Sequence, residues 1–353
     1  FFGFQECVSE SVHEAIEALL VMQGCVRLRA GSADRGEDGH ADRVEGRGDG
    51  SLVGTKFTGV AVFASARARA PPYCARVLRF AARCSQSLSS KGGAGVALAL
   101  GAGAGARTTT LAFVSCHLEA KNNDERLRQY QDLSAELGRA LGEPTHALSL
   151  SKAFSHVIWC GDFNYRCVAP NGGPIDADSV VRMIERGELR ALWDSHDQLG
   201  QEMRKGLVFA DFGEPVPMPD FFPTYKKFEN RNELAPRADD PKWVRETYRI
   251  RYKEPFYKGG KEKERTPGFC DRVLYASLSP ELASLLVPET VEAVPVHGAA
   301  GAPLARVPMQ HYTAINSGER MEISDHSPVI AAFALRVEPA DDDASGSRRR
   351  LRS

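Results

Sequence analysis

Six short apolar runs, "TGVAVFAS", "GVALAL", "TLAFVSC", "HVIWC", "RVLYAS" and "PVIAAFAL", constrain the fold more than any other feature of this chain. Several are continuously apolar instead of alternating, the pattern of strands covered on both faces. Helical spacings lie between them: Leu127, Tyr130, Leu133, Leu137 and Leu141 in one segment, and Val180, Val181 and Ile184 in another. Near the start, "SVHEAIEALLVM" (11–22) sets Ser11 three residues before Glu14, a capping box, with Val12, Ile16, Leu19 and Leu20 at helical spacing; this helix follows a short apolar strand from Phe1 to Phe4. Doubly covered strands need helices outside them, so the pattern predicts sheet packed against helices in one domain.

A chain of 353 residues with 42% hydrophobic content can bury a full core. Its net charge of −1 gives no global field toward nucleic acid or membrane, so such attraction must come from local clusters. Eight cysteines without a Cys-x-x-Cys pair argue against a disulfide framework or a zinc site and read as reduced thiols of a cytoplasmic protein. No apolar run approaches the roughly 20 residues of a membrane span. Residues 30–50 have almost no large apolar groups and read as a disordered insertion; "GAGAGA" (101–106) reads as a hairpin loop and 336–353 as a disordered tail, leaving 1–335 as the folded domain.

Polar groups stand where the apolar runs stop. Glu6 ends "FFGFQE", His117 ends "TLAFVSCH", and Asp162 and Asn164 end "HVIWCGDFN". Asp271 precedes "RVLY", and Asp325 and His326 precede "SPVIAAF". Singly, each reads better as a cap, a turn residue or a core histidine. Together they supply oxygen ligands suited to magnesium, a base and an imidazole at converging strand ends, the equipment of metal-assisted phosphoester hydrolysis.

Five segments then resemble the inositol polyphosphate 5-phosphatases of the DNase I-like endonuclease/exonuclease/phosphatase superfamily: "SKGGAGVAL" (90–98), "WCGDFNYR" (159–166), "FFPTYKK" (221–227), "PGFCDRVLY" (267–275) and "SDHSPV" (324–329). Phe269 stands where that family usually has Trp, and Ser90 where it has Asn. The resemblance implies an α/β fold, a four-layer sandwich of two mixed β-sheets flanked by helices, and removal of the 5-phosphate from phosphoinositides or soluble inositol phosphates with Mg2+. It also expects one more strand before Phe1, ending in an Asn that helps to hold the metal site, so the domain is expected to lack its first strand.

The resemblance assigns roles residue by residue. Glu6 is expected to hold the magnesium, with Asp325 a second acidic neighbour. Asp162 activates the attacking water, Asn164 holds that water or a phosphate oxygen, and His326, oriented by Asp271, stabilises the scissile phosphate with His117 as a further donor. Tyr165 and Arg166 buttress the turn, Arg166 also on the substrate side. Lys91, Tyr225, Lys226 and Arg272 are expected to face the other ring phosphates. From Lys226 to Arg265 the chain carries 13 Lys/Arg against 8 Asp/Glu, interleaved with Trp243, Tyr248, Tyr252, Phe256 and Tyr257, a composition that suits peripheral contact with an anionic membrane. Rival readings are a nuclease of the same superfamily, which would need a longer basic track and so a nucleic-acid partner, and an inactive phosphoinositide-binding module.

Overall fold

A computed structural model describes residues 1–29, 41–47, 55–85, 89–101, 108–143, 145–228, 243–254, 256, 259–289, 291–293, 307–309, 312–315 and 324–337. Residues 338–353 of the expected tail, the Gly-Ala loop after Gly101, and 30–40 and 48–50 of the expected insertion lie outside these residues, as do 229–242, Pro255, Tyr257 and Lys258 of the basic segment; Arg336, at the start of the expected tail, is tied to the fold by its N–H donating to Leu285 O at 2.8 Å.

Two sheets face each other. The first is built on β4 (Thr55–Ser65), which pairs antiparallel with β1 (Phe2–Cys7) on one side and with β2 (Cys25–Leu28) and β3 (Arg43–Arg47) on the other. The second has the order β11-β8-β7-β6-β5, with β5 at Arg76–Cys84, β6 at Gly92–Leu100, β7 at Thr109–His117, β8 at His156–Asp162 and β11 at Asp271–Ser277. Its pair β7–β8 is parallel and the rest are antiparallel. A small antiparallel hairpin, β9 (Arg251–Lys253) and β10 (Glu262–Glu264), stands apart from both sheets.

β6 shows why its run is continuously apolar. All nine of its residues are buried, because both faces are covered. Ala94, Val96 and Leu98 pack with Val60 and Val62 of the first sheet. Gly93, Gly95 and Ala97 face the helix Asn123–Leu141, where a Cβ on Gly95 would come within 2.8 Å of Leu141 Cδ1. The small residues thus let Leu133, Leu137 and Leu141 close on the sheet, as their helical spacing predicts. Val180, Val181 and Ile184 are likewise buried, on the helix Ala177–Glu185.

Three readings differ from the structure. Residues 43–47, read as disordered, form β3: Val44 is buried against the core and Arg43 reaches Glu10 and Glu45, which compensates for the scarcity of apolar groups. Helix 11–22 forms, but its N-cap is Glu10 with no side-chain cap, and Ser11 hydrogen-bonds Ser9 instead of making the capping box. "PVIAAFAL" is two three-residue strands, Val329–Ala331 and Phe333–Leu335, which pair with different partners. β5 was not visible as a strand because Arg76, Arg79 and Arg83 interrupt its apolar residues.

Candidate active site

Register brings the polar strand ends into one row. Asp271 on β11 is the cross-strand partner of Asp162 on β8, and Asp162 is the partner of His117 on β7. Since paired residues share a face, all three side chains reach the same end of the sheet. Gly161 permits this approach: its φ is 135°, and a Cβ there would lie 2.1 Å from the Cys116 carbonyl oxygen.

His326 completes the row from outside the sheet. The segment 224–227 is stitched between two neighbours: Gly268 N–H donates to Tyr225 O (2.9 Å), while Ser327 N–H donates to Thr224 O and Lys227 N–H to Asp325 O (both 2.9 Å). This seats His326 Nδ1 2.9 Å from Asp271 Oδ2 and its Nε2 3.9 Å from Asp162 Oδ2. Burial alone would lower the His326 pKa, but the carboxylates of Asp271, Asp162 and Asp325 outweigh it and push it up to about 9, so the imidazole is a cation at neutral pH. The Tyr225 ring packs on it at 4.6 Å between centroids. Thr224, inside a recognised segment but assigned no role from sequence, donates its hydroxyl to Asp271 Oδ2 at 2.6 Å.

His117 has the opposite electrostatics. It is buried, and burial pushes its pKa down to about 3 despite Asp162 3.5 Å away. Lys91 Nζ lies 3.1 Å from its Nε2 and donates to Leu118 O at 3.0 Å, so the neutral imidazole accepts from Lys91. Lys91 was expected among the ring-phosphate contacts; it lines the same cleft, but it is only 3% exposed and its ammonium is engaged with these two groups.

Asn164 is fixed at both ends of its amide. Its Nδ2 donates to Leu118 O (2.9 Å), its Oδ1 accepts from Arg166 (2.8 Å), and its backbone N–H donates to Asp162 Oδ1 (2.9 Å). Its φ of 59° is in the left-handed region, which Asn tolerates better than most residues. Arg166 lies 3.8 Å above the Tyr225 ring centroid and also meets Cys270 Sγ, so it joins the Asp162 turn to the 224–227 segment.

Glu6 comes from the other sheet. The β1–β4 register slips between Phe4 and Cys7, and within this bulge Glu6 takes a φ of 54°. A glutamate in that region costs roughly 1 kcal/mol, the kind of strain found where a side chain is aimed. It lines the same cleft as Asp162, Asp271, Asp325 and His326, and Lys56 Nζ sits 2.6 Å from its Oε2. Among the described residues, the possible ligand atoms that converge within 4.8 Å are those of Asp162, Asp271 and His326; Glu6 and Asp325 stand outside that group. Asp325 is ion-paired with Lys226.

Arg272 is not in the substrate site. Strand alternation sends it to the face opposite Asp271, where it is 1% exposed, 3.0 Å from Asp197 Oδ1, ion-paired with Glu214 and 4.2 Å over the Trp193 ring. Phe269 is also core, edge-on to Trp193 at 5.1 Å. Two further cations went unassigned: Arg265, which lines the cleft, and Arg249 join Lys226 around Tyr252, each 5.4–5.5 Å from its ring centroid. Arg265 is close because β10 pairs with β9, which spacing does not reveal, whereas Arg249 stands three residues before Tyr252 and donates its backbone N–H to Lys226 O at 3.0 Å. The whole cleft encloses about 2290 Å³.

Comparison with known proteins follows this geometry. The chain is 29% identical over 231 residues to phosphatidylinositol 3,4,5-trisphosphate 5-phosphatase 1 of Homo sapiens, covering 65% of this chain and 15% of that protein. It is 28% identical over 237 residues to inositol-1,4,5-trisphosphate 5-phosphatase 1 of Schizosaccharomyces pombe, covering 66% and 15%. The chain thus spans about one seventh of the length of these relatives. Its fold is similar to the inositol polyphosphate 5-phosphatase domain of SPsynaptojanin, crystallised with inositol (1,4)-bisphosphate and a calcium ion, with a TM-score of 0.50, 22% identity, and coverage of 95% of this chain and 75% of that one. This shows a DNase I-like α/β sandwich. The model of endonuclease/exonuclease/phosphatase family 2 matches residues 59–332, a span holding the Asp271–Asp162–His117 row and His326, and the chain belongs to that family.

Proposed function

We propose that this protein is a magnesium-dependent phosphomonoesterase that removes the 5-phosphate from phosphoinositides or soluble inositol polyphosphates. The observation that carries the reading is the His326–Asp271 pair beside Asp162, an imidazolium and a carboxylate oriented toward one point. A phosphate monoester repels an attacking oxygen, so the site must neutralise charge and hold a water in line. His326 binds the scissile phosphate as a cation. Asp162, with Oδ1 held by the Asn164 N–H, keeps Oδ2 to take the proton of the attacking water. Asn164 and Arg166 fix that carboxylate's turn. Lys226, Arg249 and Arg265 take a neighbouring ring phosphate.

The donor set fits magnesium: Glu6, Asp162, Asn164 and Asp325 present hard oxygen atoms to one cleft, the ligand type that ion takes. Glu6 would hold it, with Asp325 as the second acid. When bound, the ion supplies positive charge to the phosphate oxygens. The lipid and soluble substrates named for the relatives share the polyphosphorylated ring, so the enzyme is assigned to the ring.

Phosphate release from inositol 1,4,5-trisphosphate and from phosphatidylinositol 4,5-bisphosphate, with the product identified by phosphorus NMR, tests this reading. Loss of the 5-phosphate is expected. Nicking of plasmid DNA without phosphate release from either compound would replace the reading with a nuclease.

A further inference from the structure

Two pieces of chain meet beside Asp162: the segment that follows β7 and the turn that follows β8. Leu118 N–H donates to Asp162 O at 3.0 Å, and Glu119 is the next residue along. Tyr165, in the turn, is fully buried in the core and does not line the cleft. Arg126, near the start of the helix Asn123–Leu141, reaches both pieces. Its guanidinium donates to Glu119 O (2.8 Å), Asn123 Oδ1 (2.8 Å) and Gln198 Oε1 (3.1 Å), and it lies 4.4 Å from the Tyr165 ring centroid. Gln198 in turn holds the end of the turn, its backbone N–H donating to Arg166 O at 3.2 Å.

Arg126 is only 4% exposed and does not line the cleft, so any effect on a reaction there must pass through other residues. A guanidinium buried so deeply is ordinarily neutralised by a carboxylate. Among the described residues Arg126 makes no ion pair; its partners are carbonyl and amide oxygens and a ring face. Desolvating a charge without a counter-charge costs stability, so something other than stability favours it. What it offers is a rigid planar fork that holds several acceptors and a ring at once, which the point charge of a lysine cannot do.

The two pieces it joins are the ones that place Asp162 and Asn164. Asn164 sits in the left-handed region with its Nδ2 on Leu118 O, one residue before the carbonyl that Arg126 holds. A residue in that region stays there only when its surroundings over-determine it. We propose that Arg126 is a positioning residue of this site: by holding Glu119 O and the Tyr165 ring together, it keeps Asn164 seated on Leu118 O and the Asp162 carboxylate aimed at the attacking water. The effect on a reaction rests on the proposed phosphatase reading; the clamp itself can be read without turnover.

Arg126→Lys, which keeps the charge, and Arg126→Met, which keeps the length, test this in two measurements. The first is steady-state hydrolysis of inositol 1,4,5-trisphosphate with magnesium. The second is the NMR signal of the Asn164 side-chain amide in isotopically labelled protein, identified by its loss in Asn164→Asp. Both variants should lower kcat on the order of 10- to 100-fold with KM nearly unchanged, the pattern of reacting groups displaced while binding is spared. In both, the Asn164 amide signal should move and its hydrogens should exchange faster as the bond to Leu118 O loosens. Should Arg126→Met fail to fold, Arg126→Lys carries both measurements. A lower Tm with kcat and the Asn164 signal unchanged would assign Arg126 to stability alone and overturn the proposal, as would a raised KM at unchanged kcat. If wild type releases no phosphate from any ester, the phosphatase reading falls and the Asn164 signal alone decides the clamp, which an unmoved signal overturns.

Discussion

Asp162 and Asp271 stand directly opposite each other across β8 and β11, two carboxylates on one face of a sheet. Like charges in that position repel. His326, hydrogen-bonded to Asp271 and 3.9 Å from Asp162, is the counter-charge that makes the pairing tolerable. Asp271→Asn should therefore lower turnover by roughly 100-fold or more, because His326 loses both its orientation and much of its charge. Thr224→Val removes only a hydroxyl that donates to Asp271 and should cost about tenfold. Steady-state kinetics of the two variants would show that order; a larger loss in Thr224→Val would mean that Asp271 is held some other way.

The same pair makes stability depend on pH. Burial opposes the charged His326, yet Asp271 and its neighbours raise its pKa from an ordinary 6.5 to about 9. A group raised on folding contributes stability that is complete below the unfolded value and disappears as pH climbs through the folded value. In chelator, the difference in Tm between wild type and His326→Gln should be largest near pH 6 and should close between pH 6.5 and 9. A difference constant across that window would contradict a protonated His326.

Arg272 and Lys226 should separate stability from selectivity. Arg272→Ala leaves Asp197 and Glu214 without their cation in the interior, so denaturant unfolding should show a loss of about 3–5 kcal/mol. Equal unfolding midpoints for this variant and wild type would mean that the buried carboxylates find another partner.

Lys226→Ala and Arg265→Ala should leave the midpoint nearly unchanged. Each should cost on the order of 1.5–3 kcal/mol in kcat/KM, and only on substrates with a phosphate adjacent to the scissile one. The same loss on a substrate lacking that phosphate would assign both residues to general electrostatics.

Sequence revealed the strand-end residues because polar groups recur where apolar runs stop, a pattern that carries weight only when they are taken together. Asp162, Asp271, His117 and His326 do converge, though their convergence is a property of register, and register depends on partners distant in the chain. Arg272 was misplaced for a related reason: a motif names a position, whereas a strand decides which face that position serves, and one step from Asp271 reverses it. Lys91 was assigned to a ring phosphate from its place in a family segment, and only the fold shows Leu118 O and His117 engaging its ammonium. Arg265 stayed invisible because only the pairing of β9 with β10 brings it to Tyr252, and Arg249 because its link to Lys226, through its backbone N–H, joins residues distant in the chain. β3 was lost because its single well-buried apolar residue, Val44, is outnumbered by charges whose partners lie elsewhere.

Single-turnover phosphate release from inositol 1,4,5-trisphosphate by wild type, Asp162→Asn and His326→Ala, each with magnesium and with excess chelator, addresses the central claim directly. The account predicts release by wild type with magnesium, none in chelator, and a loss of roughly 100-fold or more in each variant. Undiminished release by either variant, or by wild type in chelator, would contradict it.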